Sequence, residues 1–159
     1  MKLLILSDSH GNVDAMVAVA NKECPDGIIH LGDCWRDATE LKRQLPRIPM
    51  YRVPGNCDSY SWTAGSEDIL TWKFQDVTVY MTHGHHHNVK MSLLRLHLAA
   101  KEAGAQVALF GHTHRSYYED HDGVTLMNPG TCGSVMGTYG ILMINGGSYS
   151  GEIRKIHGD

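Results

Sequence analysis

Two histidines, His112 and His114, sit two residues apart in LFGHTHRS, directly after the apolar run Val107 to Phe110. Imidazoles at that spacing can hold a metal ion, but with 11 histidines in 159 residues about one His-x-His is expected by chance. The other strand ends raise the pair above chance. Asp8 and His10 follow an apolar run as SDSHG, Asp33 follows a second as LGD, Asn56 a third as PGNCD, and His83 a fourth as THG. Each group with ligating chemistry stands where a candidate strand stops.

In an open α/β sheet the crevice beyond the carboxyl ends of the strands gathers residues distant in the chain. Asp8 and His10, like His112 and His114, differ by two positions, which in extended backbone points both side chains to one side. A glycine adjoins Asp33, Asn56, His112, His10 and His83, leaving room for the chain to turn tightly beside an ion. Asp8, His10, Asp33, Asn56, His83, His112 and His114 are too many ligands for one tetrahedral ion that keeps an open position. Two ions sharing Asp33 would use all of them.

The elements that must position these groups are legible in the patterning. Leu3 to Leu6, Ile28 to Leu31 and Met50 to Val53 read as short buried strands. Between them, Asn12 is placed to cap a helix with Val13, Met16, Val17 and Ala20 on its apolar face, and Asp37 to Leu45 forms a second helix ended by Pro46 and Pro49. Ile69 to Phe74 and Val77 to Thr82 pair across Gln75-Asp76. A helix with Met91, Leu94 and Leu98 as its apolar face stops at Gly104. Gln106 to Phe110 is a further buried strand. Hairpins follow, Tyr117 to Asp120 with Val124 to Asn128 and Tyr139 to Asn145 with Tyr149 to Ile156. This pattern predicts an α/β chain of two packed mixed sheets covered by helices, a single domain over 1–159.

Composition narrows the function. Fourteen basic against 17 acidic residues give a formal charge of -3, so no broad basic surface is available and no stable nucleic-acid partner is expected. The four cysteines lack C-x-x-C spacing and are expected as free thiols in a reducing cytoplasm. The apolar start ends at Ser7, too short for a signal peptide, and no run approaches membrane-spanning length, so no membrane association is expected. A homo-oligomer remains open.

The ordered motifs SDSHG, LGD, PGNCD, THGH and GHTH, with NPG at 128–130, resemble the calcineurin-like metallophosphoesterases, and the short length with GNCD is similar to their small bacterial and archaeal phosphodiesterase branch. The resemblance implies a four-layer αββα sandwich. It also implies that Asp8, His10 and His114 hold one ion, that Asn56, His83 and His112 hold the other, and that Asp33 bridges them. Oxygen and imidazole ligands without thiolate suit manganese first, with iron, zinc or nickel as alternatives. Two divalent ions against Asp8 and Asp33 leave about two positive charges, which suit a hydroxide and a phosphodiester anion. The expected reaction is in-line attack of a metal-bridging hydroxide on the phosphorus of a small phosphodiester. A phosphomonoesterase on the same site, or a non-catalytic metal-binding scaffold of the same fold, are the alternatives.

Larger members of the family carry histidine after the asparagine, and that residue is the proposed general acid. Here Cys57 stands in its place, a poorer proton donor to a leaving alkoxide. Asp58 either orients the Asn56 loop or is a solvated turn acid. His85 fits the family's HGH pattern and is expected near the second ion, either supporting its ligands or contacting the phosphate, whereas His86 and His87 are expected to face solvent. Asn128 is either a support for the metal loops or a plain turn residue. Trp35, Trp62 and Trp72 are too scattered for a base-stacking platform, although Tyr60 and Trp62 follow Asn56 closely enough to meet the organic part of a substrate.

Overall fold

The computed structural model describes residues 1–158. Its first sheet has the order β10-β9-β1-β2-β3 and its second the order β4-β5-β6-β8-β7. β1 (Lys2–Leu6), β2 (Gly27–His30) and β3 (Met50–Arg52) are mutually parallel, and β9 (Thr138–Asn145) and β10 (Ser148–Lys155) extend them as an antiparallel hairpin. In the second sheet β5 (Val77–Thr82), β6 (Val107–Leu109) and β8 (Val124–Asn128) are parallel, flanked by antiparallel β4 (Ile69–Phe74) and β7 (Tyr117–His121).

Strict alternation along the strands builds the layers. Leu3 and Ile5 of β1 join Ile29, Val79, Met81, Val107 and Leu109 in the core between the sheets. Leu4 and Leu6 point the other way, onto Met16, Val19 and Ala20 of α1 (Val13–Glu23) and Leu41 of α2 (Trp35–Gln44). Across the second sheet, Tyr80 and Ala108 meet Leu96 and Ala100 of α4 (Leu94–Glu102). The result is the expected four-layer αββα sandwich. Among the described residues no helix is long and apolar enough to cross a membrane.

Local details depart from the sequence reading. Asn12 does not cap α1 with its side chain; its Nδ2 donates to the Cys132 carbonyl at 3.0 Å, tying the helix start to a distant loop. The apolar face of α4 is also rotated from the expected one. Met91, Leu94 and Leu98 are 81%, 60% and 54% exposed, while Leu96 and Ala100 are buried. Met91 precedes the helix, and the stripe that meets the sheet is Leu96 and Ala100.

Candidate metal centre

The parallel strands of both sheets release their chains at the same end of the sandwich. Asp8 follows β1, Asp33 follows β2, Asn56 follows β3, His83 follows β5, and His112 and His114 follow β6. Asp8 is fully buried. Its Oδ2 accepts from Ser7 Oγ at 2.6 Å and from the His112 amide at 3.2 Å. Its Oδ1 is buried and has no hydrogen-bond donor, with His114 Nε2 at 3.2 Å and His83 Nε2 at 3.9 Å.

His83 explains why that oxygen is left alone. Its Nδ1 lies 2.7 Å from the Leu31 carbonyl, which can only accept, so Nδ1 carries a proton, and in the singly protonated tautomer Nε2 is left as an acceptor. The Nε2 lone pair then faces Asn56 Oδ1 at 3.0 Å and Asp33 Oδ2 at 3.6 Å. Acceptors converge on acceptors. Buried polar atoms in that state are costly unless a cation joins them, so the residues present fit a metal ion. Ligand atoms of Asp8, His10, Asp33 and His114 all lie within 4.8 Å of one another, and His10 Nε2 is 3.4 Å from His114 Nε2. Asn56, His83 and His112 form a second group, with the His83 and His112 rings 5.0 Å apart.

The charge state suits ligation. Burial pushes the Asp33 carboxyl upward, but the His83 ring and the Cys57 amide, 3.0 Å from its Oδ1, outweigh burial and hold it below the usual range. Burial, reinforced by His83, Lys90 and His85, keeps the His112 imidazole below its ordinary value and therefore neutral. Asp8, Asp33 and His83 make a buried floor, while His10, Asn56 and His114 form an exposed rim.

The backbone reaches this arrangement differently from the sequence argument. Asp8, His10, Asp33, His112 and His114 have φ of 54°, 44°, 59°, 69° and 63°. The paired ligands are brought together by left-handed turns, not by extended strand. Such conformations cost about 1–2 kcal/mol per non-glycine residue and persist only where the surroundings fix them. Close approach fixes them here: a Cβ on Gly55 would overlap Asp33 Oδ1, and one on Gly111 would overlap Ser7 Oγ.

The profile described as the calcineurin-like phosphoesterase superfamily domain matches residues 1–151. The chain belongs to that superfamily. A probable metallophosphoesterase of Bacillus subtilis is 37% identical over 134 residues, which cover 82% of this chain and 75% of the relative. A phosphodiesterase of Methanocaldococcus jannaschii is 29% identical over 159 residues, covering 89% and 92% of the two chains. The structure of a predicted phosphoesterase from Streptococcus pneumoniae superposes with a TM-score of 0.79 at 22% identity, covering 98% of this chain and 89% of that one, a likeness of fold.

Around this site the remaining residues divide by what they touch. Asp58 accepts from the amides of Gly55 at 2.7 Å, Asp33 at 3.1 Å and Trp35 at 2.7 Å. It pins the Asn56 loop to the Asp33 loop and is a positioning residue. Cys57 is exposed, with Sγ 3.6 Å from Asn56 Nδ2, and burial followed by the negative charge of Asp33 pushes its thiol upward. The His85 ring lies 5.4 Å from that of His83 and 6.1 Å from that of His112, and its Nδ1 is buried without a partner.

His86 is exposed, with Nε2 3.5 Å from Asp68, but His87 is buried, contrary to expectation. The 3₁₀ turn at His85–His87 aims the His87 ring inward, where Nε2 meets Tyr80 Oη at 2.8 Å. Asn128 braces the loop that carries His112 and His114: Nδ2 donates to Gly111 O at 3.1 Å and Thr113 Oγ1 at 3.0 Å, and Oδ1 accepts from the Gly130 amide at 2.8 Å.

Sequence reasoning missed a buried relay behind Asp8 and His10. The Gly32 amide donates to His30 Nδ1 at 3.2 Å, so His30 Nε2 carries the proton toward Ser9 Oγ at 3.0 Å, and Ser9 donates to Asp37 Oδ2 at 2.8 Å. Asp37 also accepts from the Gly11 amide at 2.6 Å. Both flanking serines of SDSHG were visible signals, since Ser7 and Ser9 each hold the turn that presents a ligand.

Proposed function

We propose that this chain hydrolyses small phosphodiesters at two divalent ions, manganese foremost, with iron, zinc or nickel as alternatives. Asp8, His10 and His114 would hold one ion, Asn56, His83 and His112 the other, and Asp33 both. The observation that carries the reading is the donorless Asp8 Oδ1, buried and facing the imidazoles of His114 and His83. The superfamily membership and the phosphodiesterase among its relatives support it. Divalent ions held by these residues would supply a water of lowered pKa as nucleophile and would offset charge developing on the phosphoryl oxygens.

The chain's own groups do the rest. The buried floor fixes the two negative charges, and the exposed rim leaves one open side for a phosphodiester to approach. Asp58 keeps Asn56 and Asp33 in register through three amide bonds. Cys57, its thiol pushed up, stays protonated at neutral pH and is neither a nucleophile nor an effective acid. Leaving groups must therefore depart with little help, which predicts slow turnover and a preference for good leaving groups.

The test is hydrolysis of bis(p-nitrophenyl) phosphate against p-nitrophenyl phosphate, with each metal added in turn and bound metal counted. Diester turnover should exceed monoester turnover, and Asp33→Asn should lower it by about 100-fold or more, the scale of losing an electrostatic contact to the transition state. An Asp33→Asn protein that retains both metal and full activity overturns the reading.

A further inference from the structure

Trp35 and Trp62, distant in the chain, line one cleft of about 710 Å³ together with Arg36 and Arg52. The cleft shares a wall with the metal centre. Trp35 donates its amide to Asp58, and its neighbour Cys34 places Sγ 4.0 Å from His10 Nδ1. Asp37, also in the lining, accepts the Gly11 amide next to His10.

Its chemistry is that of a ring-stacking surface. The Arg36 guanidinium lies 4.9 Å from the centroid of Trp62, and that of Arg52 lies 3.9 Å from the centroid of Trp35. Arg52 is fixed there by Thr39 Oγ1 at 2.6 Å. Guanidinium planes and indoles both stack on flat π-systems, whereas a saturated chain gains only area burial. Trp62 is 54% exposed on the short helix α3 (Tyr60–Thr63), and Tyr60 beside it is 83% exposed. Trp72 is equally exposed at 54% but lies on β4, against Tyr51 at 5.9 Å, outside the cleft.

We infer that this cleft is a subsite for a planar aromatic arm of the phosphodiester, so that aryl or nucleoside esters are preferred over alkyl esters. The inference rests on the phosphodiesterase reading for its ligand, and the experiment separates the two. Calorimetry on the manganese-loaded full chain measures binding of methyl phenyl phosphate and methyl cyclohexyl phosphate, which match in carbon count. Bis(p-nitrophenyl) phosphate hydrolysis is followed in parallel.

The phenyl ester should bind about ten-fold more tightly than the cyclohexyl ester, a ratio equivalent to about 1.4 kcal/mol and within the range for one stacked ring. Trp62→Ala should bring the ratio to about one, Trp62→Phe should restore most of it, and Trp72→Ala should leave it intact. A ratio near one in the unaltered protein, or one that survives Trp62→Ala, overturns the inference even where hydrolysis is robust. A ring preference without hydrolysis under any metal overturns the phosphodiesterase reading and leaves the subsite standing.

Discussion

Asp8 and Glu23 are both buried carboxylates, and the protein treats them in opposite ways. Glu23, at the end of α1, receives Arg154 Nη1 on both oxygens at 2.9 and 2.8 Å, Tyr139 Oη at 2.6 Å and Lys2 Nζ at 3.5 Å. Burial alone would push its carboxyl upward, yet Tyr139, Arg154 and Lys2 together hold it below the usual range. Asp8 Oδ1 has no donor. A buried charge needs a counter-charge; at Glu23 the chain supplies a permanent one and the carboxylate ties elements together, whereas Asp8 Oδ1 faces only the imidazoles of His114 and His83, the arrangement that the proposed cation would complete.

The largest expected effect breaks that contrast directly. Manganese at about 100 times its dissociation constant should stabilise the unaltered protein by about 2.7 kcal/mol, read by urea unfolding with and without the ion. Asp8→Asn should abolish that increment and most hydrolysis, while leaving the metal-free protein at least as stable. Glu23→Gln should keep the increment but destabilise the metal-free protein by about 2 kcal/mol, below the figure for a fully buried pair because Arg154 reaches solvent. A Glu23→Gln protein that no longer responds to manganese would erase the distinction between the two carboxylates.

The contrast was only half legible in the sequence. Asp8 announces itself through SDSHG, because ligands recur at strand ends in a fixed order. Glu23 does not, since its partner Arg154 lies on the last strand and only the folded sheet brings the two together. The same limit applies within the site. The residue types predicted the cradle, but the left-handed turns at Asp8, His10, His112 and His114 are imposed by tertiary contacts that no local pattern encodes. The expected stripe of Met91, Leu94 and Leu98 is exposed, with Met91 ahead of α4, whereas the smaller pair Leu96 and Ala100 faces the sheet. His87 looked like the rest of a solvated run until Tyr80 supplied a buried partner.

His30 sharpens the comparison by meeting burial in a third way, giving up its proton. Burial holds its pKa at about 4, against an ordinary value of 6.5. The unfolded chain then binds more protons than the folded one between those values. The stabilisation from neutral His30 is complete above pH 6.5 and is lost as pH falls toward 4. From pH 6.5 to 4.5 the loss should be about 2 kcal/mol. Glu23, whose pKa is lowered from 4.5, loses its contribution only at lower pH, as its carboxyl protonates in the fold. His30→Gln should flatten the stability profile between pH 4.5 and 6.5, and Glu23→Gln should leave that window unchanged. An equally steep profile in His30→Gln would assign the slope to other groups.

The smallest expected effect lies at Cys57, where the site's own carboxylates act on a neighbour. Burial and the charge of Asp33 hold the thiol protonated, yet a thiol gives its proton poorly to a leaving alkoxide. An imidazole at the same position would be drawn toward its cationic form by Asp33, which makes it a better acid at neutral pH. Cys57→His should therefore raise turnover of diesters with poor, alkyl leaving groups by about three- to ten-fold, short of the full range for a well-placed acid because the loop was not shaped around the larger ring. For p-nitrophenyl esters, which depart without a proton, the gain should be near zero. Measuring both leaving groups under saturating manganese separates the causes: an equal gain on both would point to changed metal binding, and no gain on either would mean that water or another side chain already delivers the proton.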